Sequence, residues 1–358
     1  MLLWMRTTTP EFCHKTNGRI TLTVLTSLVI VLVLLGVCSL AIGSVSVPVQ
    51  DVVAILADSW FGIEKSMENE QVISRAHAEI VQHIRPPRLL LAICVGAALS
   101  LCGAAMQGFF QNPMADPYII GVSSGAALGG TIAISFAIDF WVVGVHSTSV
   151  FAFCGALIVV AVVNLVATRS GRIPVSVLLL TGIAIGSMAA AATSFLMITS
   201  ETGLHRMMFW LMGSLSGRRW DHVHMMWPGV LIGACVLQVY ARDINLILQG
   251  DEQALSLGVD LEHVKRVILI ITAMLTAVAV AVSGIIGFVG LIVPHLMRLI
   301  VGPDHRRLFP ASLLGGAIIM VAADIVARIV IAPAEMPLGV ITALLGCPFF
   351  LYILSRRT

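Results

Sequence analysis

The chain has 358 residues, of which 58% are apolar and only 11% charged, with a formal net charge of +2. Ordinary soluble domains carry about 25% charged residues, and the mean hydropathy here is strongly positive, so the bilayer and not water is the main solvent. The near-balanced charge leaves no basic stripe and no Lys/Arg cluster of the kind that reads polynucleotides, which excludes nucleic acid as a partner.

A tail over 1–20 carries Arg6, Lys15 and Arg19 and precedes an apolar run over 21–42. At about 22 residues that run is long enough to span and too long for a signal-peptide core, so a retained first helix is expected. Further apolar stretches follow near 89–108, 118–138, 148–167, 175–199, 225–241, 267–283, 285–301, 311–331 and 338–354. The pattern predicts an all-α polytopic membrane protein with about ten transmembrane helices. It forms a single membrane domain over 21–358 behind a cytoplasmic tail over 1–20.

Two places interrupt the pattern. The stretches flanking Ser283-Gly284 are nearly continuous, and Asn112, Pro113, Asp116 and Pro117 break an otherwise helical run. Irregular backbone at membrane depth is tolerated only where protein or water lines it, so 112–117 points to a pathway. Small residues at Gly96, Ala97, Ser100, Gly103 and Ala104, and at Gly121, Ser124, Gly125 and Gly129, let helix backbones approach closely in lipid. Ordinary helix packing accounts for most of them. The stretches 100–130 and 282–316 each run Gly-rich helix, Pro break, Gly-rich helix, which suggests an inverted repeat.

Two segments are too polar to span. The first, over 43–84, is rich in acidic residues and falls outside. The second, ILQGDEQALSLGVDLEHVKR, sets Leu248, Ala254, Leu255, Leu257 and Val259 among charges. That suits short helices at the membrane surface or docked on a partner, and equally a solvated loop. An inside N-terminus gathers Arg6, Lys15, Arg19, Arg169, Arg172, Arg242, Lys265, Arg266, Arg298, Arg306, Arg307, Arg356 and Arg357 on the inner side, against a smaller outer set. Both termini are therefore expected in the cytoplasm.

Catalytic chemistry is hard to place. There is no GxxxxGK[ST] phosphate loop, no nucleophile elbow and no His/Glu metal spacing, so the chain is not expected to be an enzyme. No cofactor and no resident metal are expected. Cys38, Cys94, Cys102, Cys154, Cys235 and Cys347 lie in apolar runs as packing residues. An ion-coupled carrier, the alternative class, usually buries Asp, Glu or His in mid-span. Here Asp324 and Glu335 fall near a span end, and His295 follows Pro294 in an expected break. His77, His83, His146, His205, His222 and His224 fall on the expected outer side, where imidazole could meet haem iron, though solvated histidines account for them more simply.

Four stretches resemble one permease family. The first is IRPPRLLLAICVGAALSLCGAAMQGFFQNPMADPYIIGVSSGAALGG over 84–130, matching R-x-P-R, G-x-x-L-x-x-x-G-x-x-x-Q, N-P-L-A-x-P and G-x-x-x-G-A, with Met114 at the usual Leu. The others are FWLMGSLSGRRW over 209–220, SGIIGFVGLIVPHLMRLIVGPDHRRLFPASLLGGA over 283–317 and ADIVARIVIAPAEMPLGVITALLGCPFF over 323–350. In this order they resemble the FecCD/BtuC-type permeases, the membrane subunits of type II ATP-binding-cassette importers for ferric siderophores, haem and cobalamin.

The resemblance implies the type II importer permease fold in a bacterial or archaeal inner membrane, as a homodimer or paired with a paralogous permease. Two cytoplasmic ABC ATPase subunits and a periplasmic or lipid-anchored binding protein complete it. The implied cargo is an iron chelate, a ferric siderophore or haem, with cobalamin or molybdate as alternatives. By the family pattern Asn112, Pro113, Met114 and Ser176 lie near the cytoplasmic closure of the pathway. Ala254, Leu257 and Gly258 fall in coupling helices at about 242–264, with Gly258 suited to a turn. Arg85 and Arg88 bracket Pro86-Pro87 at the start of a span. With Arg328 they are expected to form a positive outer rim that meets carboxylates of the binding protein, or else to anchor the helices at headgroup level.

Overall fold

The computed structural model describes residues 18–43, 47–48, 50, 52, 55, 78–142, 144–168, 174–200 and 203–355. The tail over 1–17, most of the acidic outer segment, and Arg169, Arg172, Arg356 and Arg357 lie outside the described residues.

Among the described residues there are thirteen α-helices: α1 (Gly18–Ala41), α2 (Arg85–Phe109), α3 (Val122–Ser135), α4 (Ser147–Ala167), α5 (Val175–Thr199), α6 (Leu204–Leu211), α7 (Trp220–Val239), α8 (Ala241–Ile247), α9 (Asp251–Ser256), α10 (Leu261–Ser283), α11 (Val289–Val301), α12 (His305–Ile329) and α13 (Leu338–Ser355). A small antiparallel hairpin, β1 (Trp141–Val142) with β2 (Val145–His146), joins α3 to α4 and was not expected from the sequence.

Each of the ten expected spans coincides with an apolar helix, and seven of these helices are long enough to cross a membrane. The stretches 118–138 and 285–301 are corrected. Their helices, α3 and α11, have 14 and 13 residues, about 20 Å of rise against about 30 Å of hydrocarbon. The rest of each stretch is apolar but not helical. In the first it forms the 3-10 turn Pro117–Ile120, and in the second it runs without helix over 284–288.

Helix α2 is the hub. Pro86 and Pro87 sit where a five-residue π-helical turn, Ile80–Ile84, runs on into α2, the two making one continuous helical run over Ile80–Phe109. From there it is apolar or small on every side, and it is buried along nearly its whole length by α12, α10, α11 and α7. In lipid no hydrophobic force draws helices together, so close backbone approach supplies the attraction. A Cβ on Gly96 would run into the Gly316 carbonyl, and one on Gly103 into the Gly290 carbonyl. On the next pair, α3 meets α4 with Gly125 against Gly155 and Gly129 against the Phe151 carbonyl. Helices α1 and α5, by contrast, are largely exposed.

Because the obstructing atoms at Gly96 are backbone, they cannot give way. Gly96→Val is expected to cost about 3 kcal/mol or more through overpacking and to lower the thermal midpoint of the detergent-solubilised protein. Gly287→Ala, whose Cβ would meet nothing within 4 Å, should stay within about 0.5 kcal/mol of the parent.

Candidate functional site

Helix α10 ends at Gly284, whose φ of 73° is open to glycine. The chain then runs without helix to Phe288, and its polar groups are met by other segments. Ser214 N–H donates to the Ser283 carbonyl at 2.7 Å, and Tyr118 O–H to the Ile286 carbonyl at 2.9 Å. Leu338 N–H donates to the Gly213 carbonyl at 2.9 Å, Gly339 N–H to the Met212 carbonyl at 3.0 Å, and Gln107 Nε2 to the Leu291 carbonyl at 3.1 Å. All four stretches singled out in the sequence therefore converge on one node. The break falls at Gly284 and not at Pro294. His295, expected in that break, is instead a buried residue inside the continuous helix α11.

Next to the node the chain turns through 110–121. Asn112 is exposed, and its Oδ1 accepts the Met114 N–H at 2.9 Å. Asp116 Oδ1 accepts the Tyr118 N–H at 2.8 Å and so starts the 3-10 turn. Pro113 and Met114 line a tight pocket with Leu291, Ile292, His295, Phe349 and Phe350. The structure thus brings Pro113 and Met114 against α11 and α13. Ser176 is exposed in the first turn of α5 and is not part of that pocket's lining.

The three arginines do not form a solvent-facing rim. Arg85, Arg88 and Arg328 are only 5%, 8% and 4% exposed. Arg88 donates from Nε to Asp324 Oδ1 at 2.8 Å and from Nη1 to Glu335 Oε1 at 2.7 Å. Arg328 pairs with Asp324 Oδ2 at 3.2 Å, and its Nη1 and Nη2 donate to Ser39 O and Oγ at 3.0 and 2.6 Å. Arg85 donates to the carbonyls of Leu40 and Ala41, at the end of α1. A guanidinium in this setting cannot be left without an acceptor, and intrachain acids and helix-end carbonyls take that place. Burial pushes the Glu335 carboxyl up, but the hydrogen bond and charge of Arg88 outweigh it and hold the group below the usual carboxylate range.

The inner segment expected at 242–264 resolves into α8 and α9, and its last residues already belong to the first turn of α10. Leu255 and Leu257 are exposed, whereas Ala254 is fully buried and packs within the chain. Gly258 has φ 83° with open space around it. Asn245 Nδ2 donates to Asp304 Oδ1 at 2.6 Å, and Asn245 Oδ1 accepts the His305 N–H at 2.9 Å, which ties α8 to the start of α12. Sequence reading missed Tyr118, Asn245 and the pairing of Asp324. Only the Asp324/Arg328 spacing of four on one helix was visible beforehand. Among the described residues no group of three or more His, Cys, Asp or Glu is placed to hold a metal.

Asp324→Ala removes a carboxylate shared by two buried guanidiniums, leaving Arg88 with Glu335 and Arg328 with Ser39, and is expected to cost about 3 kcal/mol. Glu335→Gln, at a side chain 26% exposed, should cost about 1 kcal/mol near neutral pH. Its carboxyl is depressed in the fold, so the parent's advantage over this variant is full above the unfolded value of about 4.3 and disappears as pH falls below it. Thermal unfolding in detergent across pH measures both.

The model of the FecCD transport family matches residues 30–356. The cobalamin import system permease protein BtuC of Halobacterium salinarum is 50% identical over 278 residues, covering 78% of this chain and 74% of the relative. The hemin transport system permease protein HmuU of Yersinia pestis is 43% identical over 279 residues, covering 77% and 83%. A metal-chelate type ABC transporter solved in an inward-facing conformation superposes with a TM-score of 0.80 at 32% identity, covering 93% of this chain and 99% of that one. The chain belongs to the FecCD transport family of ABC importer permeases.

Proposed function

We propose that this multi-pass membrane protein carries a metal chelate across the cell's inner membrane by alternating access, driven by two copies of a separate ABC ATPase and fed by an extracytoplasmic binding protein. The observation that carries the reading is the node at 283–288, where two interrupted helical runs meet through the Tyr118 hydroxyl and the Ile286 carbonyl. Irregular backbone of this kind belongs where a pathway is built. A second copy of the chain closes the pathway, with Asn112, Pro113, Met114 and Ser176 toward its cytoplasmic end. Both termini lie in the cytoplasm, and Leu257 and Gly258 seat α9 on the ATPase. The binding protein docks on the outer ends of α2 and α12, where Arg85, Arg88 and Arg328 form the buried base of the surface and Glu335 its partly exposed edge.

The cargo is an iron chelate or a corrinoid. Relatives named for cobalamin and for hemin, at 50% and 43% identity, favour a macrocyclic metal chelate over a siderophore or an oxyanion. An ion-coupled carrier is disfavoured because Asp324, the fully buried carboxylate among the described residues, is already bound to two guanidiniums and is not poised to exchange a proton.

The test is uptake by proteoliposomes holding the chain, its ATPase and its binding protein, with cyanocobalamin and hemin as probes. Uptake should require ATP and survive a protonophore, and the isolated chain should hydrolyse no ATP. Uptake that persists without the ATPase and collapses with the proton gradient would overturn the reading.

A further inference from the structure

Helix α2 ends in a Schellman arrangement. Gln111 N–H donates to the Gly108 carbonyl and Asn112 N–H to the Gln107 carbonyl, each at 3.1 Å. Such an end puts one residue in the left-handed region, and glycine is the usual choice. Here that residue is Gln111, at φ 49°. A side chain there is strained and persists where its surroundings hold it. The Gln111 amide is held: Nε2 donates to the Ile247 carbonyl at 3.1 Å and lies 3.5 Å from Asp251 Oδ1. Ile247 is the last residue of α8 and Asp251 the first of α9. One side chain from the end of α2 therefore clasps the junction of the two inner helices.

What lies on either side of the clasp gives it a direction. Helix α9 has six residues, rests on the protein through the buried Ala254 and lies between Gly250 at φ 128° and Gly258 at φ 83°, both with open space around them. Those glycines let α9 pivot, while Asp251 stays tied to Lys265 of α10 at 2.9 Å. Gln111 is followed directly by Asn112, Pro113 and Met114. The fixed φ of Pro113 leaves little slack before Met114, which lines the pocket against α11 and α13. A shift of the α8–α9 junction thus reaches Met114 through one amide and a stiff turn.

We propose that Gln111 is a positioning residue that transmits displacement of α8 and α9 to the 112–114 turn, a role that rests on the permease reading above. In the reconstituted complex, Gln111→Ala and Gln111→Gly should both co-purify with the ATPase and hydrolyse ATP at about the parental rate, while uptake of hemin or cyanocobalamin per ATP falls roughly tenfold. The glycine variant separates strain from linkage. It relieves the left-handed backbone, so it should unfold at a higher temperature than the alanine variant and still be uncoupled. Parental uptake per ATP in Gln111→Gly overturns the proposal. So does loss of the ATPase or of hydrolysis in either variant, which would make Gln111 an assembly residue. If the parental complex takes up neither probe, the permease reading or its cargo is at fault, and amide exchange of the full chain still decides the linkage. Exchange should quicken in Gln111→Gly both over 247–256 and over 112–115, and unchanged protection over 112–115 overturns it.

Discussion

Hydrocarbon offers the backbone no hydrogen-bond partner, and each unmet group costs several kcal/mol. That constraint decides where this chain can leave the helix. It does so at 110–121, where tight local turns satisfy most of the backbone groups, and at 284–288, where other segments of the same chain supply donors. The Ser283 carbonyl is met by Ser214, the Ile286 carbonyl by Tyr118 and the Leu291 carbonyl by Gln107. The glycine contacts serve the same end. With Gly96 on Gly316 and Gly103 on Gly290, α2 lies close enough to α11 and α12 for the side chains near its inner end to reach the second break. A wider spacing would leave those carbonyls to lipid.

Charges obey the same rule where α1 ends and α2 begins. Three guanidiniums are buried against two carboxylates, with the carbonyl end of α1 supplying the remaining negative potential through Leu40, Ala41 and Ser39. Buried ion pairs of this kind often do no better for stability than apolar residues of the same shape. What the cluster achieves is placement. It fixes the end of α1, the first turn of α2, the last turns of α12 and the segment carrying Glu335 in one arrangement, because no guanidinium can move without abandoning an acceptor.

The spans were readable because a run of about 20 apolar residues matches the thickness of the hydrocarbon and exceeds what most buried helices need. Their internal breaks were not, since hydropathy registers side chains and is blind to backbone. Tyr118, Ile119 and Ile120 are as apolar in a 3-10 turn as in a helix. Proline misled at 294 for a related reason. Pro228, Pro294, Pro310 and Pro348 all lie inside helices here, as neighbouring helices in a membrane can satisfy the carbonyl a proline frees. The arginines were placed correctly along the chain and wrongly in space. Arg88 finds Asp324 across 236 positions, a pairing that no local spacing encodes. The run Asp251, Glu252, Gln253 gives no sign that Ala254 is buried, and only the way α9 lies on the protein turns it inward. The four stretches that carried the family resemblance converge on one node, which is why they were informative together and weak alone.

The two ends of the molecule differ in stiffness, and the difference has a direction. At the arginine end, separating α2, α12 or the segment carrying Glu335 breaks a buried or part-buried ion pair, and stranding one of its charges costs about 3–5 kcal/mol, while α1 is held by hydrogen bonds to Leu40, Ala41 and Ser39. At the α8–α9 end the ties include hydrogen bonds from Gln111 to the Ile247 carbonyl and from Asn245 to Asp304, worth about 0.5–3 kcal/mol each, and the ion pair between Lys265 and the half-exposed Asp251. Driving a two-state equilibrium from mostly one state to mostly the other takes about 5.5 kcal/mol of differential binding. A partner that grips α8 and α9 has to overcome only these weaker ties, whereas the same displacement applied at the other end would first have to dismantle the charge cluster. In the permease reading, force applied from the cytoplasm therefore bends the inner half against a fixed outer collar, and the 111–114 turn lies where the yielding half meets the rigid core of α2.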